Sequence, residues 1–258
     1  MKYRLPDRTV ISTLILVLAA GILTGAVIMT DRRDLTSAAV VISALVLFLS
    51  GIFLFTFTKK ESLDGRIASL IPIQGMINIC RIAADLGITG NAWFLPGRIT
   101  GETTVMQLMP VSLYKGGSLE RGETFVSGPG ETGILLPSSG EILMTELKTR
   151  FGLIIPDTEE ELLSCIREAG EEFLEVADRI EASRSGDSIA ITLHNYRLID
   201  GCRRIGEVSP ACCTMNPCPV CSLFAMILAE GKDNPVSVDR CRSELRQARV
   251  EILYTLSS

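Results

Sequence analysis

The chain has 258 residues, a formal net charge of −5 and a single histidine, His194. Its charges after residue 60 are mixed rather than blocked, so it lacks the basic field that nucleic-acid binding requires, and no stretch has the composition of a long disordered tail. The mean hydropathy of +0.34 is raised largely by two uncharged runs near the start.

These runs are Thr9–Thr30 and Leu35–Thr58, separated only by Asp31, Arg32, Arg33 and Asp34. A helix needs roughly 20 apolar residues to cross a bilayer core, and each run is long enough. The four-residue link makes the two helices antiparallel neighbours. Residues 1–60 are therefore expected to form a transmembrane helical hairpin, with the lipid bilayer as the first partner. A cleaved signal peptide is the alternative for the first run. Signal cores are shorter, at about 7–15 residues, and here a second span follows at once. The flanks carry Lys2, Arg4 and Arg8 on one side and Lys59, Lys60 and Arg66 on the other, whereas the link carries Arg32 and Arg33. That balance predicts a multi-pass protein of the cell membrane with two spans and both termini in the cytoplasm. Gly21 and Gly25 have the GxxxG spacing that lets helices approach closely, with the second span as one partner.

Residues 61–258 are enough for a cytoplasmic domain with its own core. Glu61–Ile88 reads as helix, with a break near Pro72 and an end at Gly87 and Gly90. It is expected to face the core, the alternative being the membrane surface. Short apolar runs follow at Ala92–Pro96, Thr103–Leu108, Glu123–Val126 and Gly133–Leu136, punctuated by glycine and proline, and read as strands of an antiparallel sheet. The glycines form no phosphate loop. Ser138 or Ser139 caps a helix to about Phe151. A longer helix is expected from Asp157 to about Ser183, acidic in its first turn. Its carboxylates Glu168, Glu171, Glu172 and Glu175 read as a solvated face. Ser185-Gly186-Asp187 is a turn, and Ser188–Leu193 a strand. A short helix or turn over Leu198–Ile205, an apolar helix over Ser222–Glu230 stopped by Gly231, and two closing strands at Pro235–Asp239 and Arg249–Leu256 complete the chain. The fold class is α+β, with antiparallel strands behind the helical hairpin.

All eight cysteines lie after the hairpin, and the predicted orientation puts them in a reducing compartment where disulfides rarely persist. Cys202, Cys212, Cys213, Cys218 and Cys221 are the candidate metal ligands. Cys218-Pro219-Val220-Cys221 is a CxxC pair opening a helix, and zinc needs two further ligands from the remaining cysteines, with Cys241 and His194 in reserve. An iron–sulfur cluster would use the same sulfurs. A redox pair at Cys218 and Cys221 is the second reading, because a helix start favours the thiolate. Buried, unliganded cysteines are the third. Cys212 and Cys213 are adjacent and fit poorly on one ion.

From Ser188 to Leu256 the pattern resembles the 4-vinyl-reductase domain, a small-molecule-binding α+β domain related to TRAPP subunits and haem–nitric-oxide-binding modules. The matching pieces are the strand Ile189–Leu193, Cys218–Cys221 opening an apolar helix, then Pro235–Val238, Cys241 and a final strand. Members of that family often carry a second cysteine in the closing hairpin, whereas Glu244–Ile252 has none. The whole layout resembles uncharacterised archaeal two-helix membrane proteins. The residues and the resemblance lead to one expectation: a membrane-tethered binding or regulatory domain for a small ligand, a metal, or a membrane or cytoplasmic protein partner. The alternatives are a thiol redox or metal-cluster protein and a ligand-free membrane scaffold. No residue is assigned a catalytic role.

Overall fold

The computed structural model describes residues 8–30, 35–58, 64–112, 114, 116, 124–127 and 132–257. The inter-helix link, residues 59–63, Glu123 and residues 128–130 lie outside them. The chain divides into two compact units, Met1–Leu63 and Asp64–Ser258.

The first unit is two helices, α1 (Arg8–Thr30) and α2 (Leu35–Thr58). They run antiparallel: a Cβ added to Gly51, late in α2, would meet Val17 Cγ2 at 3.0 Å and the Thr13 carbonyl oxygen at 3.7 Å, early in α1. Small or short side chains face inward, with Thr13, Ala20 and Ala44 buried. Gly21 and Gly25 have no neighbour within 4 Å, so close approach within the pair occurs at Gly51 instead. The outward faces are apolar, with Leu14, Leu18, Ile22, Ile42, Leu45 and Phe53 all exposed. Thr36–Phe53 in this unit, and Gly65–Asp85 in the second, are long and apolar enough to cross a membrane, and Thr13–Met29 is a shorter apolar stretch.

The second unit begins with α3 (Gly65–Leu70) and α4 (Ile73–Asp85). The Asp64 carboxylate accepts the Arg66 amide at 2.9 Å and caps α3, and the break falls at Pro72 as its ring requires. Next come β1 (Trp93–Leu95), the single turn α5 (Gly97–Thr100), β2 (Met106–Pro110), β3 (Phe125–Val126), β4 (Gly133–Pro137) and α6 (Glu141–Arg150). The remainder comprises α7 (Glu159–Glu168), β5 (Arg179–Ser185), β6 (Ser188–His194), α8 (Ile199–Val208), α9 (Cys212–Met215), α10 (Pro219–Lys232), β7 (Val236–Glu244) and β8 (Arg249–Leu256).

One antiparallel sheet holds all eight strands in the order β3-β4-β2-β1-β7-β8-β6-β5. The early strands and the closing hairpin therefore share one sheet, joined where Trp93 pairs with Ser237. The core lies between this sheet and α10, in which every residue from Val220 to Ala229 is buried. Cys218 caps α10 in an extended conformation, and Pro219 occupies the first position, where its missing N–H costs nothing.

Several expected elements differ. Neither Ser138 nor Ser139 caps α6: its N-cap is Gly140, whose amide donates to the Ser138 hydroxyl at 3.2 Å. The helix expected to reach Ser183 ends at Glu168, passes through a π-turn over Ala169–Phe173, and gives way to β5. Glu175 takes a left-handed φ of 48°, the Val176 amide returns to the Gly170 carbonyl at 2.9 Å, and the Glu171 carboxylate accepts the Ile180 amide. Gly231 does not stop α10, which continues to Lys232 and ends on left-handed Asp233. Gly231 instead lets α10 press against Leu162 and the Pro156 carbonyl.

Candidate functional site

The second unit offers two adjoining features, a thiol cluster and an apolar cavity, both built around the start of α10. The Pro217–Cys221 turn is held from several sides. Ser222 Oγ donates to the Pro217 carbonyl at 3.0 Å, and Ser139 Oγ donates to Ser222 Oγ at 2.8 Å. The buried Tyr254 hydroxyl donates to the Cys221 carbonyl at 2.8 Å. Just upstream, Gln107 Nε2 donates to Asn216 Oδ1 at 3.1 Å, both side chains being buried. Paired buried polar groups of this kind rigidify a turn, because leaving any one unpaired is costly.

Within this frame Cys218 Sγ and Cys221 Sγ lie 3.4 Å apart. Cys241, from β7, stands near Cys213 and Cys221. The inward turn of Cys241 has a specific backbone cause. Val238 pairs with Tyr254, but Arg240 pairs with Leu253, so β7 bulges at Asp239. The extra residue reverses the in–out alternation, and Cys241 comes to share a face with buried Ile252. The bulged Asp239 carboxylate accepts the Ser237 and Thr255 hydroxyls.

The thiols separate into donors and acceptors. Hydrogen bonding from Cys221 holds the Cys218 thiol below its ordinary pKa, aided by the first-turn amides of Cys221 and Val220. Hydrogen bonds from Cys213 and Cys221 hold Cys241 well below the ordinary value. Cys213 is raised chiefly by its bond to Cys241, and Cys221 chiefly by its bond to Cys218. Cys202, buried on α8, is raised by desolvation and then by the nearby Cys218 and Cys241.

The expected ligand set is thus partly brought together. Cys213, Cys218 and Cys221 meet, Cys202 stands beside them, and Cys241 joins them. Cys212 is turned away: its carbonyl accepts the Cys80 thiol at 3.9 Å, and it packs with Cys80 and Ile77 in a separate small core. On the one-turn helix α9, Cys212 is buried in this small core, and Cys213, half-buried, packs against it. His194 stands apart on β6, with Nε2 3.6 Å from the Glu181 carboxylate. Among the described residues, no group of three or more His, Cys, Asp or Glu side chains is arranged to hold a metal ion as it stands. Of the four sulfurs, Cys218 and Cys221 form the hydrogen-bonded pair, with Cys213 and Cys241 near them.

The cavity lies against the cluster and has a volume of about 170 Å³. Its walls are mostly apolar, with Ile73, Leu143, Leu174, Val176 and Ile205 among them. Polar contact comes from Ser69, Tyr196, Cys202 and Cys218. Burial pushes the Tyr196 phenol up, and its bond to Cys218 adds to the effect, so the hydroxyl stays protonated beside the sulfur. A partly open apolar space with a few convergent polar groups is the general form of a small-molecule site. No sequence signal located it, because its walls come from five separate stretches between Ala68 and Val220.

No curated protein and no solved structure matches the chain. A family model, described as a domain of unknown function, matches residues 3–256, so the apolar helices and the sheet belong to a single family unit. The chain is therefore a member of the DUF7982 family.

Proposed function

We propose that this protein is a membrane-tethered binding domain whose cavity takes a small apolar ligand. The observation that carries this reading is the cavity of about 170 Å³ beside the Tyr196 hydroxyl and the Cys218 sulfur. An apolar cavity of roughly 150 Å³ accommodates a benzene-sized guest. The two outward-apolar helices of the first unit support anchorage in the cell membrane, since so much apolar surface is a liability in water. The lysines and arginines flanking them support cytoplasmic termini. The resemblance of residues 188–256 to a small-molecule-binding domain points the same way.

The test is a titration of the full chain in nanodiscs with benzene, followed through the methyl signals of Ile73, Leu143 and Val176. Saturable shifts at these methyls, abolished by the cavity-filling Ala68→Leu, are expected. Shifts that survive in a folded Ala68→Leu protein would refute the reading.

A second reading has its own observation: Cys218 and Cys221 pair at 3.4 Å, with Cys213 and Cys241 nearby. Four thiolates are a donor set for zinc or an iron–sulfur cluster. Neighbouring sulfurs on tetrahedral zinc lie about 3.8 Å apart, from bonds of about 2.3 Å. The 3.4 Å between Cys218 and Cys221 is close to that, and a change of χ1 at a cysteine re-aims its sulfur. Protein purified anaerobically should then carry stoichiometric metal, lost in Cys241→Ser and kept in Cys212→Ser. Metal retained in Cys241→Ser, or none in the parent, would refute it. The latter result would leave the Cys218–Cys221 pair as a candidate dithiol.

A further inference from the structure

Gly65–Asp85 is apolar enough to cross a membrane, yet its geometry prevents it from doing so. It is bent at Pro72, and one face is occupied: Ile73, Met76, Ile77, Cys80 and Ala83 are buried. The opposite face carries Ile67, Leu70, Ile71, Ile79, Ile82 and Leu86, all exposed, with Ile71 at 69% and Ile82 at 59%. Isolated exposed leucines and isoleucines are ordinary on a soluble domain, but six along one pair of short helices form a patch that requires a partner. The remaining exposed large apolar residues of this unit, such as Ile142, Ile154 and Val208, belong to other elements.

We propose that this partner is the phospholipid surface in which α1 and α2 are anchored, and that α3 and α4 lie on it as an interfacial amphipathic segment. Chain connectivity favours lipid over protein. Only six residues separate Thr58, the end of α2, from Gly65, the start of α3. At about 3.5 Å each they reach at most roughly 20 Å, so α3 starts close to where α2 leaves the bilayer. The segment's basic residues are Lys59, Lys60, Arg66 and Arg81, and its acidic residues are Glu61, Asp64 and Asp85. Four basic and three acidic residues leave a net charge of +1, and Arg66 is also paired with Asp200 at 3.1 Å, so charge is compatible with anionic headgroups and chain connectivity carries the argument. An amphipathic helix with apolar residues on one face and lysine or arginine at its flanks binds in the headgroup region. The same two helices supply Ala68, Ser69, Pro72 and Ile73 to the cavity wall. The segment that faces lipid thus also covers the cavity, which makes membrane-derived apolar molecules its accessible ligand class.

This inference rests on the membrane-hairpin part of the proposed function, and the experiment separates the two. Single-tryptophan variants are made in a full-length Trp93→Phe background: Leu45→Trp in α2, Ile71→Trp and Ile82→Trp on the exposed face, and Ile154→Trp elsewhere on the domain. Each is reconstituted in nanodiscs of phosphatidylcholine and phosphatidylglycerol containing lipids brominated either near the headgroup or near the chain end. Leu45→Trp should be quenched most by the deep bromines. Ile71→Trp and Ile82→Trp should be quenched several-fold more than Ile154→Trp by the shallow ones. If Leu45→Trp is quenched while Ile71→Trp and Ile82→Trp match Ile154→Trp, the lipid-facing segment is overturned and the hairpin stands. If none is quenched, both fall. Protection of Ile71→Trp and Ile82→Trp from bromine and from aqueous iodide alike would mean that protein covers this face, which also overturns the proposal.

Discussion

A glycine inside a helix ordinarily costs about 1 kcal/mol relative to alanine, so Gly→Ala stabilises where there is room. This protein provides one glycine with room and one without. At Gly206, in α8, an added Cβ meets nothing within 4 Å. At Gly231, in the last turn of α10, the Cβ would lie 2.0 Å from Leu162 Cδ1 and 2.6 Å from the Pro156 carbonyl oxygen. Leu162 is fully buried and can yield little, and the carbonyl is backbone. Overpacking of a dense core typically costs about 1–3 kcal/mol, which exceeds the propensity gain. Gly206→Ala should therefore stabilise by about 0.5–1 kcal/mol, and Gly231→Ala should destabilise by roughly 1–2 kcal/mol. For a domain of this size, 1 kcal/mol moves Tm by about 2–4 °C. Far-UV circular dichroism melts of the full chain should show Tm rising by roughly 1–4 °C for Gly206→Ala and falling by roughly 2–8 °C for Gly231→Ala. Two shifts of the same sign would refute the packing argument.

Two further outcomes follow from buried groups. Tyr254→Phe keeps the ring but removes the hydroxyl that donates to the Cys221 carbonyl at 2.8 Å. That carbonyl keeps its helical partner, so the loss should be about 1 kcal/mol, and a loss in denaturant melts above about 3 kcal/mol would show that the bond holds the whole turn in place. Burial, then the neighbouring Glu168 and Glu230, push the Cys165 thiol up to about 11 from an ordinary 9.0. A raised thiol pKa contributes stability that is intact below pH 9 and is lost as pH rises toward 11, because only the unfolded chain ionises in that window. Cys165→Ala should flatten the alkaline fall in Tm between these values, and an unchanged slope would contradict it.

Much of the architecture is legible in the residues themselves. The two uncharged runs, the break at Pro72, the turn at Gly186 and the strand Ser188–His194 each carry a local signal: length, proline, glycine or alternation. β5 does not. It is an edge strand in which Ile180 alone is fully buried, and its alternation ends at Ala182 because Arg184 takes the next inward position. Ala177 and Ile180 also extend the helical spacing of α7, so the correct boundary depends on Glu175 and the π-turn, which are products of tertiary packing. The thiol site divides in the same manner. Cys218 and Cys221 are visible as a motif, but the entry of Cys241 depends on an unannounced bulge at Asp239. The burial of Cys212 in its small core depends on α9, a four-residue helix with no periodicity to detect.

The sheet also sets a timetable for the nascent chain. Its two halves meet only through β1 and β7, where Phe94 pairs with Val236. Ribosomes add about 5–20 residues per second, so β7 emerges roughly 10–35 s after α2 has been completed at Thr58. During that interval β1, β2 and β4 have no central neighbour, and α10, the helix that covers the core, is made just before β7. Non-local pairing of this kind slows folding and leaves apolar strands exposed while it is awaited. The domain must therefore complete its sheet late, with its first sixty residues already committed, and a delay in synthesis near Pro235 would leave an open strand edge available to neighbouring chains.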